Sequence, residues 1–329
     1  MDFSGGVGVW SEPLDHIRCD QKTEHRESEV NARLIIGAST QNLEQVKFAL
    51  LHGADINHKD SSGWTALLYV AQNGDIHILK YLLENGANIE ASTELGWTAL
   101  IFASQRGHLD LVRFLVSKGA NVDCQEHDGC TALILATEEG HMDVVSYLVT
   151  TAKANPDIRE DDGYSALIWA AEEGDIDIIK CLVQRCDVCV DGKDAYGWTA
   201  LSHASERGHM GVVKYLIETA KANVHTRSDS GHTPFIDAAM RGHLKIVEYL
   251  VDTTDTHIQP TTHSGGIAEL EVDDDDASCT PCALSLAARA GQMDVVSYLL
   301  DVYALTTSVR VIERIARKSP KDMAEYLAK

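Results

Sequence analysis

Gly63-Trp64-Thr65-Ala66-Leu67-Leu68-Tyr69-Val70-Ala71-Gln72-Asn73-Gly74 runs straight into Asp75-Ile76-His77-Ile78-Leu79-Lys80-Tyr81-Leu82-Leu83-Glu84-Asn85-Gly86-Ala87, and these residues decide the fold. Thr65 is a helix N-cap, because its hydroxyl can accept a bond from an orphan N–H of the first turn. Leu67, Val70 and Ala71 then fall on one helical face. Gly74 ends that short helix, since a left-handed residue is needed there. A second helix carries Ile78, Leu79, Leu82 and Leu83 and stops at Gly86. An extended, turn-rich stretch from Asn88 to Ser92 leads to the next Gly-x-Thr.

The unit recurs. Gly96-Trp97-Thr98 and Gly129-Cys130-Thr131 follow at intervals of 33 residues; Gly163-Tyr164-Ser165, Gly197-Trp198-Thr199 and Gly231-His232-Thr233 follow at 34. Nine residues after each Thr or Ser comes a second Gly: Gly74, Gly107, Gly140, Gly174, Gly208 and Gly242. A third marker is Gly-Ala or Lys-Ala, at Gly53-Ala54, Gly86-Ala87, Gly119-Ala120, Lys153-Ala154 and Lys221-Ala222. The apolar positions return as Leu133, Ala136, Val144, Val145 and Leu148, and again as Phe235, Ala238, Ile246, Val247 and Leu250. One helix pair cannot bury its own apolar face, so the units must stack.

Residues 96–122 resemble an ankyrin repeat almost residue for residue, and the resemblance extends over about residues 30–304. It implies an all-α solenoid of stacked helix-turn-helix units with β-hairpin fingers, about eight repeats long, used mostly for protein–protein binding. Repeats are expected to start near residues 30, 63, 96, 129, 163, 197, 231 and 280. The first, Val30 to Asp60, lacks Gly-x-Thr but keeps Leu34, Ala38, Val46 and Leu50, and reads as a cap with a more polar outer face. Residues 1–29 are expected to be a flexible tail. The usual spacing becomes 49 residues between Thr233 and Cys282, so 252–280 reads as an inserted loop, acidic at Asp273 to Asp276. Residues 305–329 read as a helical C-terminal cap.

Composition narrows the function. Of 329 residues, 28 are Lys or Arg and 50 are Asp or Glu, a formal charge of −22. Binding to a phosphate backbone relies on basic side chains, so nucleic acid is not the expected partner. No apolar run approaches the roughly 20 residues of a membrane span, and the first residues lack the basic and apolar regions of a secretory signal. Eight Cys in a chain of this length make no disulfide framework. A monomeric cytoplasmic or nuclear protein is expected.

No catalytic motif is found: there is no Walker loop, no nucleophile elbow and no His-Glu-x-x-His. No catalytic residue, cofactor or metal is therefore assigned. His108, His141, His209 and His243 all follow the helix-ending Gly, a recurring position with a scaffold role. Cys186-x-x-Cys189 and Cys279-x-x-Cys282 together resemble a four-Cys zinc pattern. Two or more intervening repeats at about 8–10 Å each hold the pairs too far apart for one tetrahedral ion. Asp273 to Asp276 lacks the alternating ligands, the glycine and the final glutamate of a calcium loop.

In stacked repeats the packed positions are fixed and the exposed ones carry function. By the resemblance, these are the finger residues, the residue between Gly and Thr, and the two residues before the helix-ending Gly. The position between Gly and Thr gives Trp64, Trp97, Tyr164, Trp198 and His232, with Tyr196 beside them in the finger; large aromatic residues are what interface hot spots are made of. The pre-glycine pairs give Arg106, Glu138, Glu139, Glu172, Glu173, Arg207 and Arg241: an acidic centre with mixed ends. Such a groove suits a protein partner with a basic segment, its cations over rings and near carboxylates.

Two alternatives remain at this point. Tyr164, Trp169, Glu172 and His203 resemble the layout with which ankyrin repeats of histone lysine methyltransferases read methyl-lysine, although that family has Trp where His203 stands. The amino-terminal repeats also resemble those of the ribonuclease activated by 2′,5′-oligoadenylate, which would make this an oligonucleotide-sensing module; the acidic groove opposes that reading.

Overall fold

The computed structural model describes residues 14–253 and 280–303. Its order is α1 (Leu14–Ser39), α2 (Leu43–Leu51), α3 (Ala66–Asn73), α4 (Ile76–Glu84), α5 (Ala99–Gln105), α6 (Leu109–Ser117), α7 (Ala132–Glu138), α8 (Met142–Tyr147) with a π-helical turn at Leu148–Ala152, α9 (Ala166–Glu173), α10 (Ile176–Arg185), α11 (Ala200–Arg207), α12 (Met210–Glu218), α13 (Pro234–Arg241), α14 (Leu244–Thr253), α15 (Thr280–Arg289) and α16 (Met293–Tyr303). The fold is all-α, and the expected hairpin fingers are reduced to isolated antiparallel bridges such as Ser92 with Thr98 and Lys193 with Thr199.

Helix α1 begins at Leu14, inside the stretch expected as a tail; residues 1–13, the body of the 252–280 insertion with its acidic run, and the 305–329 cap lie outside the described residues. The chain divides into two compact units. One is Met1–Ala103 with Asp110–Ala120; the other is Ser104–Leu109 with Asn121–Lys329. In the first, α1 packs on both α2 and α3, and α4 on both α2 and α3. In the second, α7, α9, α11, α13 and α15 form one row, while α8, α10, α12, α14 and α16 form the other.

Local chemistry sets the helix ends. The side chains of Thr65, Thr131, Ser165 and Thr199 each accept an N–H three residues on and start a first-row helix. Thr233 makes no such bond; Pro234 follows it, with a φ already suited to the first turn. Asp75 and Asp175 cap α4 and α10. Leu67, Ile78, Leu79 and Leu82 in the first unit, and Leu133, Leu148, Leu167 and Ile178 in the second, are sealed from solvent. The first helix pair differs from its expected polar exterior. Ile36, Phe48 and Leu51 are exposed, Phe48 lying against His52 and beneath Arg33.

Three sets of side chains tie one repeat to the next. Lys59 Nζ donates to Ser92 O at 2.7 Å, Gln125 Nε2 to Arg159 O at 3.0 Å and Lys193 Nζ to Arg227 O at 2.7 Å, so these three fingers each hold the following one. Asn57, Asp123, Asp157 and Asp191 accept the backbone N–H of Asn88, Asn155, Cys189 and Asn223 at 2.8–2.9 Å. In the third set, His141, His209 and His243 donate through Nε2 to the backbone oxygens of Gln105, Glu172 and Glu206. This is the scaffold role expected of that position. It also explains Gly174: its φ of +80° needs glycine, and an added Cβ would sit 2.5 Å from the His209 ring.

Repeat length varies in one place. Where the spacing is 33, the second-row helix ends at glycine, as at Gly86 with φ 93°. Where it is 34, the extra residue lies just before that point. After α8 it is taken up by the π-helical turn, and Lys153 and Lys221 adopt left-handed φ values of 61°.

Candidate functional site

The recurring aromatic position lies at the base of each finger. The residue four places earlier closes the finger over it: the Asp60 carboxylate accepts the N–H of Ser62 and Trp64, and that of Asp194 accepts those of Tyr196 and Trp198 at 2.8 Å each. The second Asp194 oxygen receives His203 Nε2 at 2.9 Å, as Asp60 receives the Tyr69 hydroxyl at 2.7 Å. Burial and the Asp60 bond push the Tyr69 phenol up to about 12.

In the first unit the rings pack on one another. Trp64 is half-buried between Tyr69, at 4.9 Å, and Phe102, at 4.7 Å; Trp97 meets Phe102 at 5.0 Å. Trp64 thus packs across to the next repeat through Phe102, Trp97 packs within its own repeat, and both are half-buried.

In the second unit Tyr164 lies 4.9 Å from Trp169 and 5.0 Å from His203, which is 5.3 Å from Trp198. Glu172 stands among them. Arg207, one repeat on, binds its Oε1, and His203 Nδ1 lies 3.5 Å from its Oε2. Burial and the Glu172 charge raise the Tyr164 phenol above its usual range. The four residues of the methyl-lysine layout are therefore together, but their carboxylate already holds Arg207. Arg241 binds Glu206 in the same way. The two arginines read as groove ends are internal partners of groove carboxylates.

The preceding step of this ladder is different. Glu138, Glu139 and Glu173 are exposed, and partial burial together with Glu139, Glu160 and Glu173 raises the Glu138 carboxyl. Thirty-five residues separate Glu172 from Arg207 and Glu206 from Arg241; the same step from Glu138 reaches Glu173. Arg106 is exposed at the end of α5. Cys130 is buried, and its thiol donates to Glu160 Oε2 at 3.0 Å. His232 faces the buried Asp237 at 3.4 Å, which raises its pKa.

An open cleft of about 510 Å³ spans three successive fingers of the second unit. Tyr164 forms one wall. Tyr196 and Trp198, on either side of Gly197 in the finger turn, form the next, and Asp229 with Ser230 the third; His203, Asp194 and Glu206 complete it. Tyr196 is 62% exposed. Gly197 keeps the fingers close: its φ is +78° and an added Cβ would lie 2.7 Å from Asp229 Oδ1. Glu206 belongs to the pre-glycine pair Glu206-Arg207, whereas Asp194 and Asp229 were not among the residues expected from sequence. Asp194 had a signal, since it precedes its aromatic residue by four places, as Asp60 does.

Among the described residues no group of three or more His, Cys, Asp or Glu side chains is placed to hold a metal ion. Cys186 ends α10, and Cys189 stands where other repeats have the turn residue Asn88 or Asn155. No described helix is long and apolar enough to cross a membrane. The family model for ankyrin repeats, in sets of three copies, matches residues 34–126, 118–194 and 184–262. No curated protein matches the chain.

Proposed function

Since the chain belongs to the ankyrin-repeat family, we propose that it is a non-catalytic interaction scaffold whose second unit binds a basic segment of a protein partner on its finger face. Ankyrin repeats are, as a family, modules for protein interaction. The cleft carries the proposal: three large aromatic rings line it, its lining includes no Lys or Arg, and of its carboxylates Glu206 holds Arg241 and Asp194 holds His203 while Asp229 is exposed to a partner. Rings and carboxylates together favour a cation that leaves water. The methyl-lysine reading has less support, because Glu172 is held by Arg207. Nucleotide binding has less still, because the cleft offers phosphate no cation. The described cysteines are free thiols, which fits a monomer working in the cytoplasm or nucleus.

The test is site-specific crosslinking. A photoreactive residue at Tyr196 of the full chain should join partners through Lys- or Arg-rich peptides. The same group at Asp177, exposed on α10, should not. Identical adducts from both positions would sink the proposal.

A further inference from the structure

We infer that the cleft between Tyr164, Tyr196 and Trp198 seats an arginine side chain, so that the basic segment proposed above is read at one point by its guanidinium. The inference rests on that proposal and adds which cation is preferred and where.

The first ground is shape. Tyr196 and Trp198 flank the left-handed Gly197 in the finger turn that its N–H closes onto Asp194 O, and both line the cleft together with Tyr164. The opening is lined by three large aromatic rings. A planar guanidinium stacks on ring faces and loses little hydration, whereas an ammonium is a compact and strongly hydrated charge. The second ground is the position of the acids. Asp229 lies against Gly197, the residue that joins Tyr196 to Trp198, and Glu206 also lines the cleft. A guanidinium there can turn an edge to the exposed Asp229 carboxylate while a face meets a ring.

The third ground is that this chain already uses this chemistry. Glu172 and Glu206, one repeat apart, each accept an arginine from the following repeat. Both bonds from Arg241, through Nε and Nη2, fall on Glu206 Oε1. The groove therefore accommodates guanidinium groups beside its rings. The fourth ground is exposure. Tyr196 and Asp229 are exposed at the mouth, while Asp194 and His203 behind them are satisfied by each other at 2.9 Å. The back of the cleft is set and its mouth is open.

The experiment uses the full chain and two acetylated Gly/Ser peptides, identical except that one carries three Arg and the other three Lys. Affinity is read by calorimetry. Site occupancy is read from the indole N–H signal of Trp198, assigned with Trp198→Phe. The arginine peptide should bind about tenfold tighter, a difference of about 1.4 kcal/mol, and should move the Trp198 signal. The exposed pair Tyr196→Ala with Asp229→Asn should remove most of that preference and leave far-UV helicity unchanged. Equal affinities, or binding that leaves the Trp198 signal in place, would overturn the arginine seat while leaving the basic-segment proposal standing. Failure of both peptides to bind would overturn both.

Discussion

His209 reaches back one repeat and donates through Nε2, at 2.8 Å, to the backbone oxygen of Glu172. The same glutamate's carboxylate is held by Arg207, so its repeat is anchored to the next at two points. The imidazole also covers Gly174. His209→Ala should cost about 1 kcal/mol, the usual net value of one such bond. Gly174→Ala should cost more, because left-handed strain of about 1–2 kcal/mol adds to the clash with the ring. In a double-mutant cycle read by urea unfolding, the pair should cost less than the sum. Additive losses would mean that ring and glycine do not meet.

The acid-on-acid step at Glu138 and Glu173 invites completion. Glu173→Arg should place a guanidinium where Arg207 and Arg241 stand in the following repeats. The gain should be small, about 0.3–1 kcal/mol for an exposed pair, and should fade at 1 M salt, where screening acts over about 3 Å. A stability gain indifferent to salt would argue against an ion pair.

Half-buried and exposed rings should separate cleanly. Trp64 lies between Tyr69 and Phe102, so Trp64→Ala should destabilise the first unit by about 2–4 kcal/mol, the range for losing a large packed ring. Tyr196, mostly exposed, should change stability by less than about 0.5 kcal/mol on replacement by Ala. Thermal melts of the two variants check this directly.

His232 and Asp237 give a pH dependence. The bond to Asp237 raises the His232 pKa above 6.5, and burial raises Asp237 above 3.8. Both groups bind protons more tightly when folded, so their contribution is complete at low pH and is lost as pH rises through each folded pKa. Asp237→Asn removes both effects. The variant should therefore gain stability relative to wild type between about pH 4 and 8, and its His232 pKa, followed by NMR, should fall. A constant difference across that range would contradict the pairing.

The helix boundaries were legible because local spacing encodes them. Thr65 and Gly74 act within their own turns, and both stand at the ends that the spacing implies. The site was less legible because its contacts cross repeats. Nothing near Arg207 in sequence indicates Glu172; the pair emerges only when positions 35 residues apart are compared. Trp64 reads as an exposed ring until Phe102, from the next repeat, is set beside it. The cleft depends on side-chain directions at Tyr164, Tyr196 and Trp198, which residue periodicity does not carry. Helix α1 was missed because Leu14 to Glu29 is rich in charged residues and follows no repeat spacing.

The π-helical turn at Leu148–Ala152 and the left-handed Lys153 absorb a whole residue at the end of a second-row helix. From Ala87 to Thr98 and from Ala154 to Ser165 the chain takes the same number of steps, so the finger that follows is not displaced. Length can therefore change at the end of a second-row helix without moving the finger that follows. A residue added beside Arg227, inside a finger, would instead shift the carbonyl that Lys193 reaches.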